Sequence, residues 1–376
     1  MTHNLDHEQW HRQLLQRDQD LSVEDAVEEA AGLYSTAPTS YLSCVARVPG
    51  FVADDLDRAL YLDRTLLRIG ALRGSGFLIP VERIDAVASA SDKRGWHEGA
   101  VDKAVGQKKR LKWTSQVLDI LDGEILPARE IRARLGVSRD EAEPLRFLLS
   151  SLTDRRMIVA ASGVRSWRDN QHGYAIWDQW LPGHPARHVD PDEARAEVAR
   201  WYLHGHGPAT TEDFSWWSGL NKTTARHALY SVAELEGDLY DVGRRHHADP
   251  PAGLRLLPIW DTALVTQKTR RRMVAERLYP FVYDANGNLT STVVLDGEVI
   301  GIWDRGGDAD HFEIKVSFFA GSGPRELVEA EADVIAAAVG AGEASVEVVD
   351  GFVDLTRASW NRFMSPLSGT SGETPP

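Results

Sequence analysis

Between Gly207 and Tyr230 the chain reads GPATTEDFSWWSGLNKTTARHALY, and its apolar positions recur at helical spacing in two short bursts. Phe214, Trp216 and Trp217 belong to the first burst, and Ala225, Ala228, Leu229 and Val232 to the second. Thr210 or Thr211 can cap the first helix. Gly219 suits a tight turn, and Asn221 can accept from the free N–H groups that open the second helix. Two short helices joined in this way predict a helix-turn-helix, whose second helix commonly enters a major groove. An ordinary helical hairpin that packs its aromatic side chains into a core satisfies the same pattern, and Trp216 and Trp217 read more readily as core than as a stacking platform.

The same periodicity orders the rest of the chain. Helices are expected over Leu5–Arg17, Ser22–Gly32 (Ser22 and Asp25 forming a capping box), Ala53–Leu60 and Val81–Ala90. Leu33–Ser40 reads as a polar loop, and Thr65–Ile79 as a hairpin wing broken by glycines. A second unit follows, with helices over Thr114–Leu121 and Glu124–Leu135 and a third beginning at Ser138. Strands at Met157–Ala161 and Tyr174–Trp177 flank a wing tip carrying Arg165 and Arg168. Asp192–Leu203 opens a third unit, which contains the helix-turn-helix and a strand at Leu239–Val242. After Pro250-Pro251 the pattern turns to strands: Leu254–Ile259, Leu278–Tyr283, Thr290–Leu295, Glu298–Trp303, Glu313–Phe319 and Val346–Val353. Asp296-Gly297 reads as a hairpin turn and Arg325–Val339 as an amphipathic helix.

The expected architecture is α+β: tandem winged-helix (helix-turn-helix) units followed by a strand-rich C-terminal part. The expected divisions are 1–92, a basic connector at 93–112, 113–188, 189–249, the strand-rich part at 250–364 and a disordered tail at 365–376.

Charge complicates that picture. The net charge is −14, whereas a nucleic-acid binder more often has a basic balance. The cations are gathered, however: Lys93, Arg94, Lys103, Lys108, Lys109, Arg110 and Lys112 in one run, Lys268, Arg270, Arg271, Arg272 and Arg277 in another, and Arg244-Arg245-His246-His247 in a third. Segregated charge permits a basic groove with an acidic back; solvated surface charge explains each run equally well. The candidate phosphate contacts are Lys108, Lys109, Arg110, Arg165, Arg168, Lys268, Arg270, Arg271 and Arg272.

Cys44 is the sole cysteine, which excludes an intramolecular disulfide and a cysteine-based zinc site. The polar N-terminal stretch and the lack of long apolar runs lead to the expectation of a cytoplasmic chain without a membrane partner. His7-Glu8-Gln9-Trp10-His11 matches HExxH, but no nearby spacing supplies a third ligand, so no metal is expected. Gly74-Ser75-Gly76 and Gly340-Ala341-Gly342 lack the strand–helix context of a nucleotide loop.

Several stretches taken together carry a resemblance. HGPATTEDFSWWSGL with TTARHAL, LLPIWDTALVTQKTRRRMV, STVVLDGEVIGIWD, EEAAGLYSTAPTSYLSCVARVPGF and DLDRALYLDRTLLRIGALRGSGFLIP resemble the bacterial winged-helix proteins typified by the AlkZ and YcaQ interstrand-crosslink DNA glycosylases. The resemblance runs from about Trp10 to Arg357. It implies tandem winged-helix domains closed by a C-terminal β-barrel over 250–364, a concave surface for lesion-bearing double-stranded DNA, and hydrolysis of the N-glycosidic bond of bulky alkylated or crosslinked bases. It also implies action as a monomer, without cofactor or metal. In the glycosylases the loop after the second helix carries Gln-x-Gln or Gln-x-Asp. Here Tyr34, Ser35 and Thr36 stand there, with Tyr34 and Thr36 at the two catalytic positions. Hydroxyls can orient a water, but a tyrosine is a poor base at neutral pH, and no carboxylate lies within Leu33–Cys44. Excision with a diverged loop therefore competes with a DNA binder (regulator or lesion binder) that lacks catalysis, and with winged helices used for protein contacts.

Overall fold

The structure is a computed structural model describing residues 5–70, 72–73, 75–90, 96–163, 167–168, 172–243, 249–270, 272–308 and 310–367. Helix α1 (Leu5–Arg12) stops short of the expected Arg17. Leu14 and Arg17 adopt left-handed φ values of 58° and 54°, and the Leu15 N–H closes on the Trp10 carbonyl at 2.9 Å. The first unit then runs α2 (Val23–Glu29), β1 (Leu33–Tyr34), α3 (Thr39–Val45), α4 (Ala53–Tyr61), β2 (Leu66–Ile69) and β3 (Phe77–Pro80), followed by α5 (Ile84–Ala90). The Ser22–Asp25 capping box is present at the start of α2. The supposed loop at Leu33 begins as a strand, because Leu33 and Tyr34 pair antiparallel with Leu78 and Phe77. The sheet order is β1-β3-β2.

Within the stretch expected as a basic connector, the described residues from Trp96 onward form α6 (Trp96–Val105) and the start of α7 (Gln107–Leu121). Val101, Trp113, Val117 and Leu121 are buried in one core, so an apolar stripe underlies the lysines. The second unit continues with β4 (Leu126–Pro127), α8 (Ala128–Leu135), α9 (Ala142–Asp154), β5 (Ile158–Gly163), β6 (His172–Ile176) and the short α10 (Trp177–Trp180). Its sheet order, β4-β6-β5, repeats that of the first unit.

The third unit has α11 (Pro191–His206), α12 (Thr211–Ser218), α13 (Lys222–Tyr230), β7 (Glu234–Glu236) and β8 (Leu239–Asp241). Here a single bridge, Ala209 to Tyr240, stands in for the first strand. Thr210 caps α12 reciprocally with Asp213, Gly219 takes φ +74° as the C-cap, and Asn221 caps α13 through the Thr224 N–H.

The remainder comprises β9 (Leu254–Leu257), α14 (Thr262–Val265), α15 (Tyr279–Val282), β10 (Thr292–Leu295), β11 (Glu298–Gly307), β12 (His311–Phe318), α16 (Arg325–Ala338), β13 (Glu343–Val348) and α17 (Trp360–Met364). The expected barrel is corrected to an open five-stranded sheet of order β13-β12-β11-β10-β9, with β9 and β13 as its edges among the described residues. Its last pair, β12 and β13, is parallel, so α16 must cross over between them, and its apolar side packs on the sheet and on α3. Leu278–Tyr283, expected as a strand, forms a 3₁₀ turn and then α15, with Pro280 in the first turn, where no N–H is required. The tail from 368 onward lies outside the described residues.

The cores cross the unit borders. Val23, Val27, Leu42, Leu56 and Leu60 share one cluster with Leu254, Trp303, Phe312, Val316 and Ile335, so the first unit and the C-terminal sheet bury each other. A second cluster joins the first wing, the second unit's strands and all of the third unit. Helix α1 stitches three regions together. Arg12 donates to the Leu203 carbonyl (2.8 Å) and pairs with Asp241 (3.1 Å), Gln9 donates to the Ala263 carbonyl (2.7 Å), and Gln13 donates to the Gly205 carbonyl (2.8 Å). Burial, followed by the charges of Arg272, Arg47 and Arg12, holds the His206 imidazole well below its usual pKa, so this hub carries it neutral. Among the described residues no helix is long and apolar enough to cross a membrane.

Candidate active site

The Tyr34–Thr36 loop leaves the end of β1 and enters α3 through a cis Ala37–Pro38 bond. Ser35 is buried and donates its N–H to the Gly76 carbonyl at 3.0 Å. The fit at Gly76 is close: a Cβ there would lie 2.5 Å from the Ser35 hydroxyl. The Thr36 carbonyl accepts from the Ser40 N–H at 3.0 Å. The hydroxyls of Thr36 and Ser40 are both enclosed and without a hydrogen-bond partner among the described residues. Buried hydroxyls are ordinarily paired, yet these two lie unpartnered within one turn of chain.

Tyr34 lies half-buried beside this loop. Its ring meets Phe77 edge-on at 5.9 Å and Trp260 at 5.2 Å. Burial pushes its phenol above the ordinary tyrosine value, against the opposing pull of a Ser75 hydrogen bond and the Arg73 charge. At neutral pH it is therefore a neutral donor and not a base.

The loop is anchored from the C-terminal part of the chain. Thr39 donates to the Ile259 carbonyl at 3.1 Å, Ser43 donates to Asp261 at 2.6 Å, and Arg47 grips both Asp261 oxygens at 2.8 and 2.9 Å. Desolvation alone would raise the Asp261 pKa. The Arg47 charge outweighs it, with hydrogen bonds from Arg47, Ser43 and the Ala263 N–H, and the carboxyl is held below its ordinary range. Asp261 is thus one carboxylate brought alongside α3, committed to holding structure; a second, Asp57, accepts from the Tyr41 hydroxyl at 2.6 Å. Its neighbour Trp260 adopts φ +59°, an outlier for a bulky side chain. That backbone is held by a 3.1 Å bond to the Leu289 carbonyl, and its indole N–H donates to Asn288 at 3.3 Å.

The expected phosphate contacts separate into groups. Lys108 is exposed on α7. Lys109 pairs with Glu141 and lies 4.9 Å from the Trp113 ring. Arg110 is buried and pairs with Glu98 and Asp102, both at 2.7 Å. Arg168 donates to the Gly307 carbonyl at 3.3 Å and covers Trp167, which packs on Phe312, so this part of the second wing rests on the C-terminal sheet. Arg270 stacks on Tyr283 at 4.3 Å. Arg272 is buried and donates to Gln9 (2.9 Å) and to the His206 carbonyl (3.1 Å), so it has no face left for a phosphate. Arg165 and Arg271, like Lys93, Arg94 and the Arg244–His247 cluster, lie outside the described residues.

Lys268 is exposed, and it marks a group that sequence reasoning missed. Its ammonium lies 4.5 Å from the Trp216 ring, and the Arg73 guanidinium lies over the same ring at 3.1 Å. These groups line a cleft of about 370 Å³ together with Glu212, Ser215, Gly219 and Lys222. Arg73 comes from the first wing, Trp216 and Lys222 from the third unit's helix-turn-helix, and Lys268 from the segment after α14. The tryptophan pair therefore divides: Trp217 is core at 2% exposure, whereas half-buried Trp216 faces the cleft and donates its indole N–H to the Val265 carbonyl at 3.0 Å. The available signal was Arg73 between the glycines of the wing tip.

In the HExxH stretch Glu8 pairs with Arg12 at 3.0 Å and His11 bonds to the Asp249 carbonyl at 2.8 Å. Among the described residues no three His, Cys, Asp or Glu side chains gather as a metal-binding group.

Units with helix-turn-helix order, each with a small sheet or hairpin, packed against an open five-stranded sheet, define an α+β class of winged-helix architecture. Within that class, the model of the AlkZ-like DNA glycosylase family matches residues 26–342, and the chain belongs to that family. It is 28% identical over 310 residues to the interstrand DNA cross-link repair glycosylase of Streptomyces sahachiroi, covering 76% of this chain and 82% of that protein. The solved structure of Streptomyces sahachiroi DNA glycosylase AlkZ shares its fold, with a TM-score of 0.72 at 24% identity over 92% of this chain and 98% of the other.

Proposed function

We propose that this chain is a tandem winged-helix DNA-repair glycosylase that hydrolyses the N-glycosidic bond of a bulky alkylated base in double-stranded DNA. In this reading the Tyr34–Thr36 loop meets the sugar of the lesion. The observation that carries it is the pair of enclosed, unpartnered hydroxyls of Thr36 and Ser40 beside Tyr34. Cleavage develops positive charge on the sugar and requires a positioned water. A threonine hydroxyl can accept from that water and aim its lone pair, and Tyr34, kept neutral, can donate to the leaving base or the sugar. An N7-alkylated guanine already carries positive charge, so it leaves without prior protonation and asks for no strong base. Lys268, Arg73 and Lys108 are the exposed cations suited to the phosphates on either side. Lys222, paired with Glu212, borders the same cleft.

One observation favours a second reading, a lesion binder without excision. Tyr34 and Thr36 stand where the enzymes this chain resembles carry Gln and Gln or Asp, and the carboxylate beside the loop, Asp261, is fully engaged by Arg47. Incubation with duplex DNA carrying a bulky N7-guanine adduct, followed by alkaline cleavage at abasic sites, separates the two. Strand breaks at the adduct support excision. Retained binding with no breaks across several adducts supports the binder.

A further inference from the structure

Three aromatic rings form a ladder leading outward from the candidate loop. Tyr34 lies 5.2 Å from Trp260, and Trp260 stacks on Trp360 at 5.9 Å with 28° between the planes. Its outer ring, Trp360, is the first residue of α17 and is 56% exposed, although it also meets the buried Phe363 ring at 5.6 Å. An exposed tryptophan is an uncommon way to finish a core, and this one has a strained support. The Trp260 backbone is held at φ +59°, and the following residue is clamped by Arg47 and Ser43, so the ring's position is over-determined. Arg73, whose charge reaches Tyr34, lies at the inner end of the ladder and supplies attraction for a polyanion.

We infer that Trp260 and Trp360 form a stacking platform for a planar aromatic ring attached to the lesion nucleotide, either the displaced base itself or an aromatic arm of its adduct. This rests on the excision site being at Tyr34–Thr36. A preformed aromatic surface favours flat π-systems whatever their hydrogen-bonding edge. The platform would therefore select lesions by planarity, while the hydroxyl loop acts on the sugar.

The test uses the full chain and three duplexes: undamaged, N7-methylguanine-bearing, and bearing an N7-guanine adduct with a polycyclic aromatic arm. Affinity is read by fluorescence anisotropy, and abasic product is measured on the same samples. Wild type is expected to prefer a modified duplex over the undamaged one by about tenfold. Trp360→Ala should lose that preference and Trp360→Phe should recover part of it, with unmodified-duplex affinity unchanged. Preference for both modified duplexes identifies the displaced base as the occupant, and preference for the polycyclic duplex alone identifies the arm. A wild type without preference, or a Trp360→Ala variant that keeps it, overturns the platform. If abasic product forms while the platform fails, the excision reading stands alone. If the preference holds and no abasic product appears, the platform stands on a binder.

Discussion

Ser43 donates a 2.6 Å hydrogen bond to Asp261, and through it the helix that follows the Tyr34–Thr36 loop is fixed to the turn that carries Trp260. Residues more than two hundred positions apart are thereby joined in one buried contact. Arg47 completes the junction with two contacts to the same carboxylate, and both side chains are fully buried.

Removing one partner of such a pair leaves an uncompensated buried charge. Asp261→Ala is expected to cost about 3–5 kcal/mol, read by urea unfolding. The pH dependence has a definite sign. The folded pKa of Asp261 is depressed, so its contribution to stability is fully present above the unfolded value of about 3.9 and is lost as pH falls through the folded value. Asp261→Asn should therefore flatten the acid side of the stability curve. Equal acid slopes in the two proteins would contradict this.

Tyr34 is expected to stay protonated across the working range, because burial raises its pKa. A pH profile of the excision rate should show no rising limb attributable to a phenolate at or below about pH 10. Tyr34→Phe should retain the thermal midpoint, since the ring contacts with Phe77 and Trp260 survive, while lowering the rate. An alkaline limb that vanishes in Tyr34→Phe would show the residue acting as a base.

Surface cations and buried ones are expected to part company in salt titrations. Lys268→Ala and Arg73→Ala should each lower the slope of log affinity against log salt by about 1. Arg110→Ala should instead lower stability, because it strips Asp102 of its partner and leaves Glu98 with Arg155 alone, and should leave the slope unchanged. An altered slope in Arg110→Ala would return it to the phosphate contacts.

Gly219 sits where two units touch. It takes φ +74°, and a Cβ there would lie 2.8 Å from the Arg73 Cα. Gly219→Ala is expected to cost at least about 1–2 kcal/mol from the left-handed backbone alone. It should also weaken DNA binding by displacing Arg73 from Trp216. Unchanged stability and affinity would argue against this contact.

The local pattern was well expressed in the chain. The capping residues Ser22, Thr210 and Asn221, the Gly219 turn and the Asp296-Gly297 hairpin each rest on interactions within a few residues, and each is found. What failed depends on distant partners. Strand composition carries no information on strand order or closure, so the parallel pairing of β12 with β13 and the open sheet were invisible, although the α16 helix between them was read. Lysines at 103–112 concealed a helix whose buried stripe is sparse, and Arg110 and Arg272 look like any other cation until their carboxylate and carbonyl partners are known. The loop at Tyr34–Thr36 was singled out only through the family resemblance, since its residue types carry no chemical pattern of their own. The ring ladder from Tyr34 to Trp360 was not, since it joins three separate segments.

The most direct measurement is single-turnover excision of a bulky N7-guanine adduct by wild type and by Thr36→Val, with binding measured on the same duplex. Valine keeps the shape and removes the hydroxyl. If Thr36 positions the attacking water, the excision rate falls on the order of 10²-fold while affinity and melting temperature hold. Wild-type binding without abasic product, or a Thr36→Val variant that excises at the wild-type rate, would contradict a hydrolytic role for this loop.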